Sequence, residues 1–397
     1  MHTILFDDHF APRFRPLTLT RPIGDLRIGI NTIAEQWEDI LSSKVGFLTN
    51  TALQELFSLN ASAENLLINA RVLPNFGLRK TLNDLEADQC LVHGDTIIAI
   101  RLSKEELQSW SPADGVPPSH SAIAIEEGIE IIEQIPDLFA KNHIAIQEDF
   151  KRATYGRVSA ALDPTSMIIG DPALVFIEEG ATVEGAWLNT TDGPIYIGAD
   201  AHVMEGSVLR GPIALCDHAT VKAGSKIYGA TTIGPWCKVG GEISNSIFHS
   251  YSNKGHDGFV GNSVIGQWCN FGADTNTSNL KNNYGPVKVW NYANKQFETT
   301  GLTFCGLIMG DHSKCGINTM FNTGTVVGVS ANIYGGDFPP KFIPSFSWGG
   351  SDGFQTYDFD KAMETATRMM ARRKIDLTPE DVTLLRSIFD NSATFRG

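Results

Sequence analysis

Aliphatic residues recur at every sixth position along one stretch of the chain. The series reads Ile197, Val203, Leu209, Leu215, Val221, Ile227, Ile233 and Val239. Four positions after most of them stands a small residue: Ala201, Ser207, Ala219, Ser225, Thr231 and Cys237. A period of six fits neither an α-helix nor a simple alternating strand. It predicts a left-handed parallel β-helix, in which each hexapeptide forms one side of a triangular coil and points its aliphatic residue inward.

The same register returns in two later stretches and is interrupted between them. It resumes at Phe259, Ile265 and Phe271, and again from Met309. Residues 244–258 and 276–302 fall outside it, and both segments are rich in Asn, Ser, Lys, His and Gly. Insertions in a solenoid project from its flank, where binding sites are commonly built. We therefore predict that both segments are loops and that they carry the functional site.

The remainder of the chain shows a different pattern of apolar and polar residues. Short apolar runs read as buried strands: Ile4–Phe6, Val45–Leu48, Leu66–Ile68 and Thr96–Ile100. Helical patterns lie between them, for example over residues 31–41 and 104–109, which predicts an α/β domain. Near the C-terminus, Thr378 followed by Pro379 is typical of a helix start. The predicted organisation is an α/β domain over 1–150, an all-β left-handed parallel β-helix over 151–345 and a helical tail over 346–397.

Composition narrows the classes of partner and compartment. The chain has 397 residues and a formal net charge of -14, which argues against nucleic acid or an anionic membrane as the main partner. Its 6 cysteines form no CxxC pair, so free thiols in a reducing compartment are expected. The N-terminus does not read as a signal peptide, and no apolar stretch is long enough to cross a bilayer. We expect a cytoplasmic protein.

One part of the repeat carries a family resemblance. Residues 254–261 read Lys-Gly-His-Asp-Gly-Phe-Val-Gly, and residues 270–275 read Asn-Phe-Gly-Ala-Asp-Thr. They resemble the acetyltransferase half of the bifunctional N-acetylglucosamine-1-phosphate uridylyltransferase/glucosamine-1-phosphate acetyltransferases, which reads Lys-Ala-Gly-His-Leu-Thr-Tyr-Leu-Gly and then Asn-Ile-Gly-Ala-Gly-Thr. The match spans roughly residues 220–335. It implies that His256 is the catalytic base, that Asn270 contacts substrate, and that Ala273 and Gly316 contact acetyl-CoA.

The resemblance extends into the second predicted loop. Asn283-Tyr284-Gly285 is similar to the family's Asn-Tyr-Asp-Gly stretch, and Lys288 follows it, which implies substrate contacts; an ungapped register would use Asn279 instead. The family's phosphate-binding lysine pair falls on Gly240-Gly241, and its Arg-Pro-Gly becomes Lys222-Ala-Gly. Positive charge for a sugar phosphate would then come from four lysines: Lys222, Lys254, Lys281 and Lys288. Another histidine, His249, is the weaker candidate base and is better explained as structural.

The N-terminus resembles sugar-1-phosphate nucleotidyltransferases, whose signature is Gly-x-Gly-Thr-Arg-Leu-x-Pro-Leu-Thr-x-x-x-Pro-Lys. Residues 13–18, which read Arg-Phe-Arg-Pro-Leu-Thr, and Pro22 hold their places, whereas the two glycines and the lysine are replaced. Three arginines there are candidate nucleotide-phosphate ligands: Arg13, Arg15 and Arg21. Ion pairs with Asp7, Asp8 and Asp25 are the alternative.

A second marker of that family is a Gly-Asp pair that holds Mg²⁺ after a later strand. Its place falls on Ala70-Arg71, so the aspartate is lost. Gly94-Asp95 is a second candidate, but it reads better as a β-hairpin turn. Asp7-Asp8 is a further oxygen-ligand candidate. The metal ligands therefore stay open.

Together, the two resemblances imply a two-domain sugar-phosphate enzyme with a reduced nucleotidyltransferase domain. The β-helix is expected to transfer an acyl group from acetyl-CoA to an amino-sugar phosphate, with His256 suited to the base role because the pKa of histidine lies near neutral pH. The first domain is expected to bind a nucleoside triphosphate or nucleotide sugar with Mg²⁺. Relatives of this type form trimers, so a homotrimer is expected. The rival hypothesis is a non-catalytic, sugar-nucleotide-binding trimeric scaffold.

Overall fold

The computed structural model describes residues 1–396, and their contacts separate into two units. The first unit comprises Met1–Phe14, Thr20–Leu26 and Asn31–Gln134. The second comprises Arg15–Leu19, Arg27–Ile30 and everything from Ile135 onward. Two short N-terminal segments and the helix that follows residue 135 thus belong with the β-helix.

The first unit is a mixed α/β fold built on a six-stranded sheet. The unit contains eight strands, six of them in this sheet: β1 (His2–Phe6), β2 (Val45–Leu48), β3 (Glu64–Asn69), β4 (Val72–Leu73), β5 (Gln89–His93), β6 (Thr96–Ser103), β7 (Ser121–Ala124) and β8 (Glu130–Ile131). The sheet order is β2-β1-β3-β6-β5-β7, and β4 pairs with β8 in a separate ribbon. Strands β1, β2 and β3 are parallel, whereas β6 runs antiparallel to β3 and β5. The predicted α/β domain is confirmed.

Four α-helices accompany this sheet: α1 (Ile33–Leu41), α2 (Thr51–Gln54), α3 (Phe76–Asp84) and α4 (Lys104–Ser109). Helix α1 begins at a capping box, in which Thr32 and Glu35 each bond the backbone of the other. Short 3-10 turns fill the first connection: Ala11–Phe14, Leu17–Leu19 and Ile23–Asp25. The loop between β5 and β6 is the hairpin turn expected at Gly94-Asp95, since His93 pairs with Thr96.

The second unit is a parallel β-solenoid with three sides. Sheet 1 contains Val175–Ile177, Ile195–Ile197, Ile213–Leu215, Thr231–Ile233, Ile247–Ser250, Val264–Gln267, Ile308–Met309, Val326–Val327 and Phe342–Ile343. Sheet 2 contains Thr182–Val183, His202–Val203, Thr220–Val221, Lys238–Val239, Asn253–Lys254, Asn270–Phe271, Lys314–Cys315, Asn332–Ile333, Ser347–Gly350 and Gly353–Thr356. Sheet 3 contains Met167–Ile169, Trp187–Asn189, Val208–Arg210, Lys226–Tyr228, Glu242–Ser244 and Phe259–Gly261, and Asn276–Thr277 pairs with Met320–Phe321 farther along.

The residues that fill the interior of the solenoid from Ile197 to Val239 are those predicted from the hexapeptide series. All eight aliphatic residues of the hexapeptide series are at most 1% exposed, and the small residues four positions later are buried as well. Residues one coil apart stack directly, as Val203, Val221 and Val239 do in sheet 2. Each coil therefore buries its apolar face only against its neighbours.

The prediction that residues 244–258 form a loop is wrong. This segment contributes Ile247–Ser250 to sheet 1 and Asn253–Lys254 to sheet 2. The inward positions continue through it at shortened spacing, because Ile243 pairs with Ile227 and Phe248 pairs with Ile233. The next inward position is filled by Lys254, which pairs with Val239. The next inward residue is Val260, paired with Ile243, so the prediction that Phe259 points inward is also wrong. Two shortened sides of the coil, followed by a lysine in an aliphatic position, concealed the repeat.

The later insertion is a genuine loop. Residues 278–306 leave the solenoid between sheet 3 and sheet 1 and contain an antiparallel hairpin, Lys288–Asn291 with Gln296–Thr299. The hairpin packs against the solenoid. Its Trp290 ring stacks on Phe342, with the ring centroids 4.2 Å apart. The loop thus lies along the corner between sheets 3 and 1.

Three further helices belong to the second unit: α5 (Pro136–Thr154), α6 (Phe359–Ala371) and α7 (Pro379–Asn391). Helix α5 covers the outward face of sheet 1, where Ile146 and Phe150 pack with Phe176 and Tyr196. Helix α7 begins at a capping box between Thr378 and Asp381, as predicted. None of the helices in the described chain combines the length and apolarity required to cross a bilayer. All six cysteines are free and buried.

Helix α6 lies along the corner between sheets 1 and 2. At its first residue, Phe359 packs against Phe346, with the ring centroids 5.8 Å apart. Just beyond its last residue, the guanidinium of Arg373 lies 5.4 Å from the centre of the Trp236 ring. Because Trp236 and Phe346 occupy this corner several coils apart, the helix runs back toward the N-terminal coils. The outward face of sheet 2 borders the end of this helix.

Candidate functional site

His256 lies in the turn that joins sheet 2 to sheet 3. Its side chain is exposed, and the turn spans residues 255–258. Gly258 has φ +113 and a Cβ placed on it would lie 2.2 Å from the carbonyl oxygen of Thr275, so only glycine allows the next coil to pass this closely. The turn therefore presents an imidazole to solvent from a closely packed backbone.

The buried Lys254 fastens this turn from inside the solenoid. Its Nζ donates to the carbonyl oxygens of His256 and Asp257, the latter at 2.7 Å, and lies 3.4 Å from that of Gly240. The side chain is fully buried, and burial lowers its pKa to about 8. Lys254 was predicted to contact substrate; the structure instead places its ammonium among backbone carbonyls beneath His256.

The titration of Lys254 gives a testable stability effect. Between about pH 8 and 10.5 the unfolded chain holds a proton that the folded chain has released, so this group makes the free energy of unfolding rise with pH in that window. Replacing Lys254→Met removes this contribution. Urea denaturation from pH 7 to 10.5 should show wild type gaining stability relative to the variant. The exposed Lys226→Met is the control and should parallel wild type; if Lys254→Met also parallels it, the lysine is not buried as described.

Four glycines occupy one column on the outward face of sheet 2: Gly240, Gly255, Gly272 and Gly316. The coils approach so closely that a Cβ on Gly240 would lie 2.8 Å from the carbonyl oxygen of Gly255, and one on Gly272 would lie 2.3 Å from the carbonyl carbon of Gly316. Larger side chains close the column, with Lys222 before Gly240 and Tyr334 after Gly316. The column leaves a shallow strip without side chains, which we call the sheet 2 groove.

Polar residues line one side of the sheet 2 groove. They are Lys238, Asn253, Asn270 and Lys314, which stack in consecutive coils. Asn253 Nδ2 donates to Asn270 Oδ1 at 3.0 Å. Lys314 Nζ donates to the carbonyl oxygen of His312 at 2.7 Å, and burial lowers its pKa to about 8. Hydrogen-bonding groups thus face the groove along its length.

The other side of the sheet 2 groove is the corner that carries His256. The residues next to the glycines there are His256 and Ala273 in consecutive coils, since Asp274 N donates to the carbonyl oxygen of Asp257 at 3.0 Å. The structure therefore brings Lys222, His256, Asn270, Ala273 and Gly316 onto one flank within five coils. These five predicted site residues come from widely separated parts of the sequence.

The predicted residues of the second loop lie elsewhere. Asn283, Tyr284 and Lys288 are exposed on the 278–306 loop, which leaves from the corner between sheets 3 and 1. Asn279, the alternative, lies at that corner too, where its Nδ2 donates to Asn262 Oδ1 at 2.8 Å. Within one chain, none of them shares a corner with His256.

His249 occupies an interior position that fits a structural role. It is 7% exposed, its Nδ1 lies 3.1 Å from Ser250 Oγ, and its carbonyl oxygen accepts from Arg27 Nε at 3.0 Å. These contacts tie an N-terminal segment of the second unit to the solenoid.

In the first unit, polar side chains cluster where the parallel strands end. Arg71 donates from Nε and NH2 to the carboxylate of Asp8, with the shortest contact at 2.6 Å. Asn69 Nδ2 donates to the same carboxylate at 3.0 Å, and the Phe10 ring lies 4.3 Å from the Arg71 guanidinium. Both charged side chains are buried. The pair forms a closed ionic cluster at the carboxyl ends of β1 and β3, the edge at which α/β sheets commonly bind ligands.

These residues do not fit a magnesium site. The place expected for a metal-binding aspartate holds Arg71, whose positive charge already neutralises Asp8. The neighbouring Asp7 accepts from Thr49 Oγ1 at 2.6 Å and from Ile23 N at 2.9 Å, and burial raises its pKa to about 6. Among residues 1–396, no cluster of three or more His, Cys, Asp or Glu could hold a metal ion.

The three N-terminal arginines do not form one set. Arg13 lies on a 3-10 turn of the first unit, with its guanidinium 5.1 Å from the Phe10 ring. Arg21 is 2% exposed and lies 3.5 Å from Asp25, as the ion-pair alternative predicted. Arg15 belongs to the second unit, and burial lowers its pKa.

One known family matches the N-terminal part of the chain. Residues 3–158 match the family described as sugar nucleotidyl transferase. No curated protein shows a significant match to the chain. The family match makes the N-terminal region transferase-like in sequence, and the resemblance noted for that region is confirmed.

Several solved structures are similar to more than half of the chain. The Arabidopsis UDP-N-acetylglucosamine acyltransferase is 13% identical, with coverage of 60% of this chain and 97% of that one and a TM-score of 0.33. The polySia-specific acetyltransferase NeuO is 14% identical over 53% of this chain and 99% of its own, with a TM-score of 0.31. A mutant of AntD, an N-acyltransferase from Bacillus cereus in complex with dTDP and coenzyme A, is 14% identical over 52% and 91%, with a TM-score of 0.22.

Proposed function

We propose that the solenoid transfers an acyl group from acyl-CoA to the amino group of an amino-sugar phosphate, with His256 as the general base. The observation that carries this proposal is the position of His256, an exposed imidazole on a turn fastened by Lys254, directly beside the sheet 2 groove. The family resemblance implied this role for His256, and the geometry gives the imidazole open space in which to meet two substrates.

The chemistry requires a base and a positioned thioester. The amine attacks the thioester carbonyl, a C–N bond forms, the C–S bond breaks, and coenzyme A leaves as the thiol. His256 takes the proton that the amine loses and passes it to the departing sulfur. Holding both reactants in line supplies a large part of the rate enhancement. The role of the chain is therefore to align an extended acyl donor with an amine at His256.

The sheet 2 groove suits the extended arm of acyl-CoA. Neighbouring strands lie ~4.8 Å apart, so the four glycines span about 14 Å. Backbone exposed beside Gly255, Gly272 and Gly316 lets a narrow chain approach the solenoid closely, and Ala273 adds only a methyl group. Asn253 and Asn270 offer amide groups along the same path.

A thioester-cleavage assay with a panel of amino-sugar phosphates tests this function. Release of free coenzyme A from acetyl-CoA should depend on the amino-sugar phosphate, and the product should carry an amide at the former amine. A chain that releases no coenzyme A with any acceptor is a scaffold rather than an acyltransferase.

We propose further that the site is shared between chains of a homotrimer. The support is the separation of Lys288, Asn283 and Tyr284 from His256 within one chain, since a neighbouring solenoid would bring that corner toward the sheet 2 groove. Co-expressing His256→Ala chains with Lys288→Ala chains should restore part of the acyl transfer that each homogeneous variant lacks. Light scattering of the 43.3 kDa chain should give a trimer mass. Complementation that never exceeds the parent variants, together with a monomeric mass, contradicts the shared site.

For the first unit we propose binding of a sugar nucleotide or sugar-1-phosphate, supported by the family match over residues 3–158. Arg13 and Arg21 are the cations that this unit contributes from the motif. Pyrophosphate release from a sugar-1-phosphate and a nucleoside triphosphate is the direct assay for catalysis. Given Arg71 in place of an aspartate, we expect binding of the nucleotide sugar without pyrophosphate release.

A further inference from the structure

Four cationic side chains meet at the N-terminal end of the sheet 2 groove. Lys238 is paired with Thr220 in the preceding coil, and Lys222 follows Thr220 by two residues, so the two lysines lie on the same outward face. Arg372 and Arg373 come directly after α6. The Arg373 guanidinium lies 5.4 Å from the centre of the Trp236 ring, and Trp236 precedes Lys238 by two residues. The tail thus adds two guanidinium groups to two solenoid lysines.

The cluster forms no ion pair within residues 1–396. None of the four side chains has an ion-pair partner there, although other basic residues of the solenoid do. Arg210, for example, lies 2.6 Å from Asp192, and Lys226 lies 3.9 Å from Glu242. Burial lowers the pKa of Lys238, and the charges of Arg373, Lys222 and Arg372 lower it further. Concentrated positive charge without an ion-pair partner in the described residues, in a chain of net charge -14, indicates a place for an external anion.

We propose that Lys222, Lys238, Arg372 and Arg373 bind the phosphate group of the acceptor, with the C-terminal tail supplying the guanidinium groups. Arginine donates two parallel hydrogen bonds to phosphate oxygens, and lysine adds a point charge. The choice of ligand rests on the proposed acyl transfer. The tail follows the part of the chain that resembles the acetyltransferases, so nothing in that resemblance assigns this role to it.

The position of the cluster favours the acceptor over the acyl donor. Lys222 lies two coils before Gly255, the residue next to His256, which is about 10 Å along the solenoid. Lysine and arginine side chains reach most of that distance, so a phosphate held between them leaves the rest of a sugar near the imidazole. The stretch from Gly255 to Gly316, on the other side of His256, stays free for the acyl donor. The phosphate groups of coenzyme A are the alternative ligand for the same four cations.

Direct binding tests the cluster without relying on turnover. Isothermal titration of the full chain with inorganic phosphate should show binding that becomes at least tenfold weaker in Lys238→Met/Arg373→Met. The control, Lys226→Met, removes one positive charge from sheet 3 of the same coil region and should bind as wild type does. The exposed Arg372→Met provides a second variant with little risk to folding, and Lys238→Arg should retain binding. Equal affinity in wild type, the double variant and Arg372→Met overturns the inference.

Kinetics then separate the two sources of phosphate. The double variant should raise KM for the amino-sugar phosphate at least tenfold, while KM for acetyl-CoA and inhibition by 3′,5′-ADP stay unchanged. If inhibition by 3′,5′-ADP weakens and KM for the acceptor does not change, the cluster serves coenzyme A and the assignment to the acceptor is wrong. If wild type binds phosphate through the cluster but transfers no acyl group, the anion site stands and the proposed function fails. If wild type turns over and the double variant is unaffected, the inference fails while the function stands.

Discussion

Replacing His256→Ala should lower kcat for acyl transfer by about 10²- to 10⁴-fold, which is the rate enhancement that a positioned general base usually contributes. The imidazole is exposed at the turn, and its side chain supports no internal packing, so folding should be unaffected. KM for acetyl-CoA should change little, because the proposed donor contacts lie on Gly255, Gly272 and Gly316. Initial rates of coenzyme A release measure both parameters.

The matched control is His143→Ala. His143 is an exposed histidine of α5, a helix on the outward face of sheet 1, and its ring Nδ1 contacts only the carbonyl oxygen of Ala140, at 3.2 Å. It should transfer acyl groups at the wild-type rate. Unchanged kcat in His256→Ala, or an equal loss in both variants, would remove His256 from the mechanism.

The second large effect concerns the buried ion pair of the first unit. Asp8→Asn should lower the free energy of unfolding of that unit by about 3–5 kcal/mol, the cost of leaving a buried charge without its partner. Arg71 would retain one neutral oxygen in place of a carboxylate, while its side chain stays buried. Hydrogen exchange of the β1 and β3 amides in the full chain measures the loss in the unit concerned, because the solenoid amides provide an internal reference.

The double variant Asp8→Asn/Arg71→Met checks that the effect belongs to the pair. Removing both charges should cost less than the sum of the two single changes. Lys80→Met, at an exposed position on α3, is the control and should leave exchange in β1 and β3 unchanged. If the β1 and β3 amides of Asp8→Asn exchange as slowly as those of this control, the ion pair does not stabilise the first unit.

The solenoid could be predicted from the sequence because its inward residues repeat at a fixed spacing. Each inward residue of the solenoid obeys the same steric demand, so Ile197 through Val239 reveal the coil by spacing alone. Prediction failed between Val239 and Val260, because two sides of the coil are shorter than six residues and the buried Lys254 then replaces an aliphatic side chain. The six-residue spacing of Phe248, Lys254 and Val260 was the periodic signal that remained.

The candidate site was accessible from the sequence only in part. The resemblance named His256, Ala273 and Asn270, and the coil register explains why they share a flank. The basic cluster was not accessible, because Arg372 and Arg373 reach Lys238 through the path of α6 and no local pattern records that path. Nor does sequence spacing show that Arg71 closes on Asp8, since the two are joined by the pairing of β1 with β3.

The most direct measurement is a crystal structure of the protein with acetyl-CoA. We expect the pantetheine arm to lie over Gly255, Gly272 and Gly316 with the thioester beside the His256 imidazole. The adenosine phosphates should lie away from Lys222 and Lys238. Acetyl-CoA bound on another face of the solenoid, or a thioester far from His256, would contradict acyl transfer in the sheet 2 groove.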